Sequence, residues 1–153
     1  MSNVQSFLAD QYEMELSQFR AALSNVSDFE HAQPGHSAAW HAAHVAEWLR
    51  FFVLQDLSAS YAALGWEDSA WVGQYTGTPR VAVSAGREAI MAELERLGSE
   101  VLAHLRGLKD EELNAVLVSP AAPGGTRPRL IGLGLHLRHI AYHRGQVRLA
   151  AKG

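Results

Sequence analysis

Apolar residues recur at steps of three and four along four long stretches of the chain, which is the spacing of one buried face of an α-helix. The first stretch covers residues 4–26, with Ser2 or Asn3 as its N-terminal cap. The third begins after Ser84, the expected cap, and its apolar stripe consists of Ile90, Leu94, Leu97, Val101, Leu105 and Leu108. Both stretches predict amphipathic helices.

The second and fourth stretches have the same spacing. The second predicts a helix from about residue 36 to residue 64, with Ser37 as its cap and Gly65 as its stop. The fourth predicts a helix from about residue 130 to residue 151, with an apolar side made of Leu130, Leu133, Leu137, Ile140 and Val147. Alternation typical of a β-strand is confined to residues 113–119.

Four amphipathic helices predict an all-α fold, because each apolar stripe must be buried against the others. The expected architecture is a four-helix bundle with long crossover connections at about residues 65–83 and 110–129. The chain has 153 residues and no internal repeat, so residues 1–153 are expected to form one domain.

Composition excludes several classes of protein. A net charge of −3 without a basic cluster argues against nucleic-acid binding. The chain contains no run of about 18 apolar residues for a membrane span, and its start predicts an amphipathic helix instead of a signal peptide. With no cysteine, it has neither disulfides nor a thiol nucleophile of its own. We expect a soluble, cytoplasmic protein.

A histidine pair near the C-terminus is the strongest chemical feature. His139 and His143 are four residues apart, so on a helix both imidazoles lie on one face and can bind one metal ion. His44, far upstream, is a candidate third ligand. On helical wheels, His41 and His136 also point toward the apolar stripes of their helices.

Buried imidazoles need a partner, since an unsatisfied polar group costs about 1–3 kcal/mol. A divalent cation held by three imidazoles would satisfy several of them at once. The alternative for any single histidine is an ordinary hydrogen bond in the core, and His41 and His136 stay open as further ligands. Three others, His31, His36 and His104, are expected at the surface or at helix caps.

The segment His139-Ile-Ala-Tyr-His143-Arg144-Gly145-Gln146 resembles the C-terminal hallmark of the DinB/YfiT-like superfamily, whose members are regarded as metalloenzymes. The segment His44-Val45-Ala46-Glu47 resembles a looser pattern of the same superfamily. This resemblance implies a DinB-like helical bundle in which His44, His139 and His143 are the metal ligands. It also implies chemistry like that of thiol-dependent S-transferases and of a mycothiol-dependent maleylpyruvate isomerase.

Three neutral imidazoles leave a divalent ion, whether zinc, nickel, iron or manganese, with an open position. The leading hypothesis is an enzyme that activates a low-molecular-weight thiol or water for transfer to, or hydrolysis of, a small electrophilic substrate. One alternative is a non-catalytic protein that uses the metal to join two helices or that senses metal or stress. The other is an interaction module that forms a homodimer.

Several neighbours are candidates for catalysis, each with a simpler alternative. Gln146 can orient a ligand or a bound water, or be a surface residue. Arg144 can bind a substrate carboxylate, although an ion pair with another helix is favoured. Glu47 can accept an imidazole N–H, or lie on a solvated face. Gly145 is expected to allow close helix approach. The first long connection contains three aromatic residues, Trp66, Trp71 and Tyr75. They can line a substrate pocket, cover the end of the bundle or form a dimer contact.

Overall fold

The computed structural model of the protein describes residues 3–31, 35–60, 70–75 and 77–152. Three sequence-based predictions concern residues outside these ranges, namely the Ser2 cap, the Gly65 stop and the role of Trp66. Within the described ranges, no helix is long and apolar enough to cross a membrane.

The chain folds into helices joined by short irregular elements. In chain order the helices are α1 (Asn3–Ser24), α2 (Ala38–Trp48), α3 (Arg87–Gly107), α4 (Asp110–Leu113) and α5 (Arg129–Lys152). A small antiparallel sheet between α4 and α5 consists of β1 (Val116–Val118) and β2 (Thr126–Pro128). The all-α prediction is confirmed, and the strand predicted within residues 113–119 is observed as β1.

The four long helices form a bundle around one apolar core. Helix α1 packs against α3 and α5, and α2 packs against the same two helices, so α1 and α2 lie diagonally across the bundle. The six predicted stripe residues of α3 are all buried. The Tyr12 hydroxyl of α1 donates to the Leu133 carbonyl oxygen of α5 at 2.6 Å, which fixes these helices against each other. Leu130, predicted on the apolar side of α5, is exposed instead.

Helix α2 begins where predicted but ends early. The Ser37 hydroxyl accepts the backbone N–H of Trp40 at 3.1 Å, which confirms Ser37 as the cap. The α-helix stops at Trp48, continues as one π-helical turn over Leu49–Val53, and ends before Gln55, whose φ is +57°. The prediction of helix up to residue 64 is therefore wrong for residues 54–60. The helix ends because the side chain of the buried Arg50 binds Asp56 and Ser58, and the chain that follows the helix turns back toward it.

The start of α3 also differs from the prediction. Residues Val83–Ala85 form a 3-10 turn, and Gly86 with φ +96° occupies the cap position, so Ser84 is not the cap. A φ of this value favours glycine, and the glycine allows the chain to change direction before the helix begins. Helix α3 therefore begins two residues later than predicted.

Candidate metal centre

Helices α2 and α5 bring five histidines into one region of the bundle. His41 and His44 lie on α2, and His136, His139 and His143 lie on α5. The buried face of α2 is rich in alanine, and small side chains let neighbouring backbones approach closely. His139 is partly exposed and the other four are buried.

Three of these histidines converge through their imidazole nitrogens. The Nε2 atoms of His44 and His139 are 3.0 Å apart, and those of His143 and His139 are 2.9 Å apart. One ligand atom from each of the three lies within 4.8 Å of the others. Among the described residues, these three histidines are the one group of three or more potential ligands that could hold a metal ion.

The two measured separations suit a common ion. Imidazole nitrogens bind zinc at about 2.1 Å, so two of them at right angles lie about 3.0 Å apart, and at a tetrahedral angle about 3.4 Å apart. The observed 2.9 Å and 3.0 Å match the right-angled arrangement. Three ligands on one side of an ion leave its other side for small molecules.

The electrostatic environment keeps the imidazoles of His139 and His143 neutral. Burial lowers the pKa of His139 to about 3, helped by His143 and His136. Burial likewise lowers the pKa of His143 to about 3, helped chiefly by His44 and His41. A neutral imidazole offers the lone pair that a metal requires, so these side chains are ready to bind a cation at neutral pH.

Aromatic rings hold two of the imidazoles in place. The indole of Trp40 stacks on His44, with ring centroids 4.5 Å apart, and that of Trp48 stacks on His139 at 3.8 Å. Stacked rings restrict rotation of the imidazoles and keep their nitrogens directed at the cluster. Trp40, His44 and Trp48 stand at steps of four in the sequence, a spacing that could have indicated these two tryptophans as part of the site.

His41 and His136 are close to the cluster without belonging to it. The Nδ1 of His41 lies 2.8 Å from the Nδ1 of His143, so His41 contacts the far side of a ligand. His136 stacks on Phe52 at 4.7 Å, and its Nδ1 has no hydrogen-bond partner in the described structure. Neither residue is in the described group that could hold an ion.

Glu47 lies in a buried ion pair. Its carboxylate accepts two hydrogen bonds from Nη1 of Arg50, at 3.0 Å and 2.8 Å, and one from the backbone N–H of Arg80. With 3% of its surface exposed, Glu47 is not on a solvated face. Burial raises its pKa, and the charge of Arg50 opposes that rise. Arg50 is not among the site residues predicted from the sequence, and its other partners are Asp56, Ser58 and the Thr78 carbonyl.

The neighbours of His143 have varied environments. Arg144 donates to the Glu15 carboxylate of α1, which is the ion pair favoured from the sequence. The side chain of Gln146 is partly exposed and has no hydrogen-bond partner among the described residues. Gly145 is exposed, and a Cβ there would meet nothing within 4 Å, so the expected close helix approach at this glycine is wrong.

Of the remaining histidines, His36 lies beside the cluster, with its ring centroid 6.2 Å from that of His41. His31 is exposed, and the exposed His36 stacks on Trp40 with centroids 3.7 Å apart. His104 lies in the last turn of α3, where it is partly buried and its Nε2 lacks a hydrogen-bond partner in the described structure, so of the two expected positions it is near a helix end instead of at the surface.

Two residues of the predicted aromatic group cover one end of the site. Trp71 and Tyr75 pack against a small cluster formed by Phe51, Phe52 and Ala59. Because Phe52 also stacks on His136, this cluster continues the aromatic wall of the histidine region. Covering the bundle is one of the roles expected from the sequence.

Comparison with known proteins identifies the family. No curated protein and no solved structure matches the chain. The family model described as the DinB superfamily matches residues 11–147, a range that includes all five clustered histidines and nearly all of the bundle. The resemblance noted in the sequence is thus confirmed, and the chain belongs to the DinB superfamily.

Proposed function

We propose that the protein is a metal-dependent enzyme in which His44, His139 and His143 hold one divalent ion. The proposal rests on the convergence of three imidazoles, with nitrogen separations of 2.9 Å and 3.0 Å. A site with three protein ligands and a free side is typical of catalytic centres, whereas structural zinc sites usually have four protein ligands. Zinc, nickel, iron and manganese all accept imidazole ligands.

A divalent ion at this site would lower the pKa of a bound water or thiol and so supply a nucleophile at neutral pH. The chain has no cysteine, and a thiol would therefore enter as a small co-substrate. The protein's own residues orient the imidazole ligands and enclose the site. Trp40 and Trp48 fix two imidazoles by stacking, and His41 supports the third from behind. The reaction proposed is transfer of a small thiol to a small electrophile, or hydrolysis of that electrophile by water, in the cytoplasm.

A structural role of the metal is the first alternative. The three ligands come from α2 and α5, so an ion would join two neighbouring helices and stabilise the bundle without catalysis. This hypothesis needs no substrate, and it predicts that metal alone stabilises the folded protein.

Homodimer formation is a second alternative and has its own support. Tyr142 and Leu149 are seven residues apart on one face of α5, and they are 60% and 65% exposed. Large exposed apolar side chains on a common face suit a contact with a second copy. Analytical ultracentrifugation of the protein and of Tyr142→Ser with Leu149→Ser tests this proposal, which predicts a dimer that the double variant loses.

The test of the enzyme proposal is elemental analysis of protein purified without a His-tag or added metal, together with X-ray absorption. We expect about one ion per chain with three nitrogen ligands and exchangeable oxygen. A screen of small thiols with small electrophiles should then show turnover that His143→Ala abolishes and that the matched surface variant His31→Ala retains. Four protein ligands, or metal without turnover, would favour the structural role. Absence of metal would overturn both.

A further inference from the structure

A small cavity lies beside His136, at the N-terminal end of α5. Its walls include Phe52, Gln55, Ser119, Arg127, Arg129 and His136, so it is enclosed by the chain after the π-helical turn, the β1–β2 sheet and α5. Its volume is about 10 Å³. This space is about that of one water molecule, so a single oxygen atom of a ligand can enter it.

Three side-chain atoms of the residues that line this cavity lack hydrogen-bond partners in the described structure. His136 and Ser119 are each 4% exposed. The His136 Nδ1, the Ser119 Oγ and the Arg129 Nε have no hydrogen-bond partner in the described structure. The hydroxyl and the guanidinium are donors, and a neutral imidazole carries one further N–H. Buried donors require an acceptor, so the group that completes this cavity carries an oxygen with lone pairs.

The charge around the cavity is positive. Arg127 and Arg129 both line it, whereas none of the described lining residues is acidic. Arg129 donates through Nη1 to the backbone carbonyl of Glu112, so this contact leaves its charge without a carboxylate partner. Gly132, in the first turn of α5, also lines the cavity, and the N-terminal end of a helix carries partial positive charge.

We infer that this cavity is a binding site for the carboxylate of a small organic acid, with one carboxylate oxygen inside between Ser119 and His136 and the other toward Arg127. A carboxylate is flat and accepts several hydrogen bonds, which suits a small cavity lined by donors.

The cavity is connected to the histidine cluster by one aromatic ring. Trp48 contacts His136 edge-on at 5.3 Å and stacks on His139 at 3.8 Å. His136 and His139 are three residues apart on α5, a rise of roughly 4.5 Å. A carboxylate in the cavity therefore anchors a molecule about one helical turn from the cluster. That the acid is the substrate rests on the proposed function, but its binding does not.

The test uses metal-free protein and sodium formate as the probe, with sodium chloride keeping the ionic strength constant. We expect saturable changes in the NMR signals of the Gly132 amide and the His136 ring. Arg127→Gln should weaken formate binding at least tenfold, and Ser119→Ala should weaken it as well. Arg138→Gln, which removes an exposed arginine from the same helix, should bind formate as the unmodified protein does.

Three results would overturn the inference: no saturable change, equal binding by Arg127→Gln and Arg138→Gln, or a crystal soaked in formate that shows an ordered water alone in the cavity. Because the assay contains no metal, its failure leaves the proposed metal enzyme standing. A protein that binds formate but no metal would refute the enzyme and keep the carboxylate site.

Discussion

The Nδ1 atoms of His41 and His143 are 2.8 Å apart, and this contact determines which nitrogens carry protons when His143 binds a metal. A neutral imidazole has one N–H and one lone pair, so one ring donates and the other accepts. A metal at Nε2 of His143 places its proton on Nδ1, and His41 then accepts through Nδ1 and holds its own proton on Nε2. His41 is thus a positioning residue behind a ligand.

We predict that His41→Phe weakens metal binding about 10- to 100-fold, the usual effect of losing a hydrogen-bond partner of a ligand. His41→Gln, whose side-chain oxygen can still accept, should recover part of the affinity. Competition with a chromophoric chelator measures both constants. Equal affinities for the unmodified protein and His41→Phe would show that the contact does not orient His143.

Replacing His44 with alanine separates metal binding from ordinary packing. We expect His44→Ala to lose most of the rise in melting temperature that the metal produces, because an ion that binds only the folded state stabilises it by linkage. Without metal, the variant should melt near the temperature of the unmodified protein. Calorimetry with metal and with chelator checks this. Equal losses under both conditions would identify His44 as a plain core residue.

Stability of the metal-free protein should fall in mild acid. Burial lowers the pKa of His136 to about 3 and that of His41 to about 4, below the ordinary 6.5. Between pH 6.5 and pH 4 the unfolded chain binds protons that the folded chain does not, so the free energy of unfolding decreases as pH falls. Above pH 6.5 these groups contribute no slope.

Urea unfolding at several pH values measures this decrease, and each such histidine contributes at most about 1.4 kcal/mol per pH unit. His136→Phe should reduce the slope by about one proton. A free energy of unfolding that is constant from pH 7 to pH 5 would contradict neutral, buried imidazoles.

The buried ion pair of Glu47 and Arg50 is expected to stabilise the folded protein. Their side chains are 4% and 5% exposed and 2.8 Å apart. Glu47→Gln should destabilise the protein by about 3 kcal/mol, because it leaves the buried guanidinium of Arg50 without one of its two carboxylate partners. The exposed pair of Glu13 and Arg106 is the control, and Glu13→Gln should cost less than about 1 kcal/mol. A stable but inactive Glu47→Gln protein would instead support the catalytic role considered for Glu47.

The helices and the histidine faces could be predicted because they depend on local spacing. His139 and His143 share a face on any helix, and the α3 stripe needs only its own period. The end of α2 could not be predicted, because Arg50 binds Asp56 and the Thr78 carbonyl, which lies 28 residues away. The contact between His41 and His143 likewise spans 102 residues. Such contacts depend on tertiary packing, which periodicity does not report.

The π-helical turn at Leu49–Val53 sets the direction of the side chains that follow it. Its backbone bond from the Leu54 N–H to the Leu49 carbonyl, at 3.0 Å, encloses one residue more than an α-helical bond does. If the same residues formed a continuous α-helix, the side chains beyond the turn would be rotated by about 100° from their present directions. Deleting one residue of the turn would instead restore an α-helix and leave the flanking side chains nearly in their present directions. Relatives that lack the π-turn should therefore have one residue fewer between His44 and the aromatic wall.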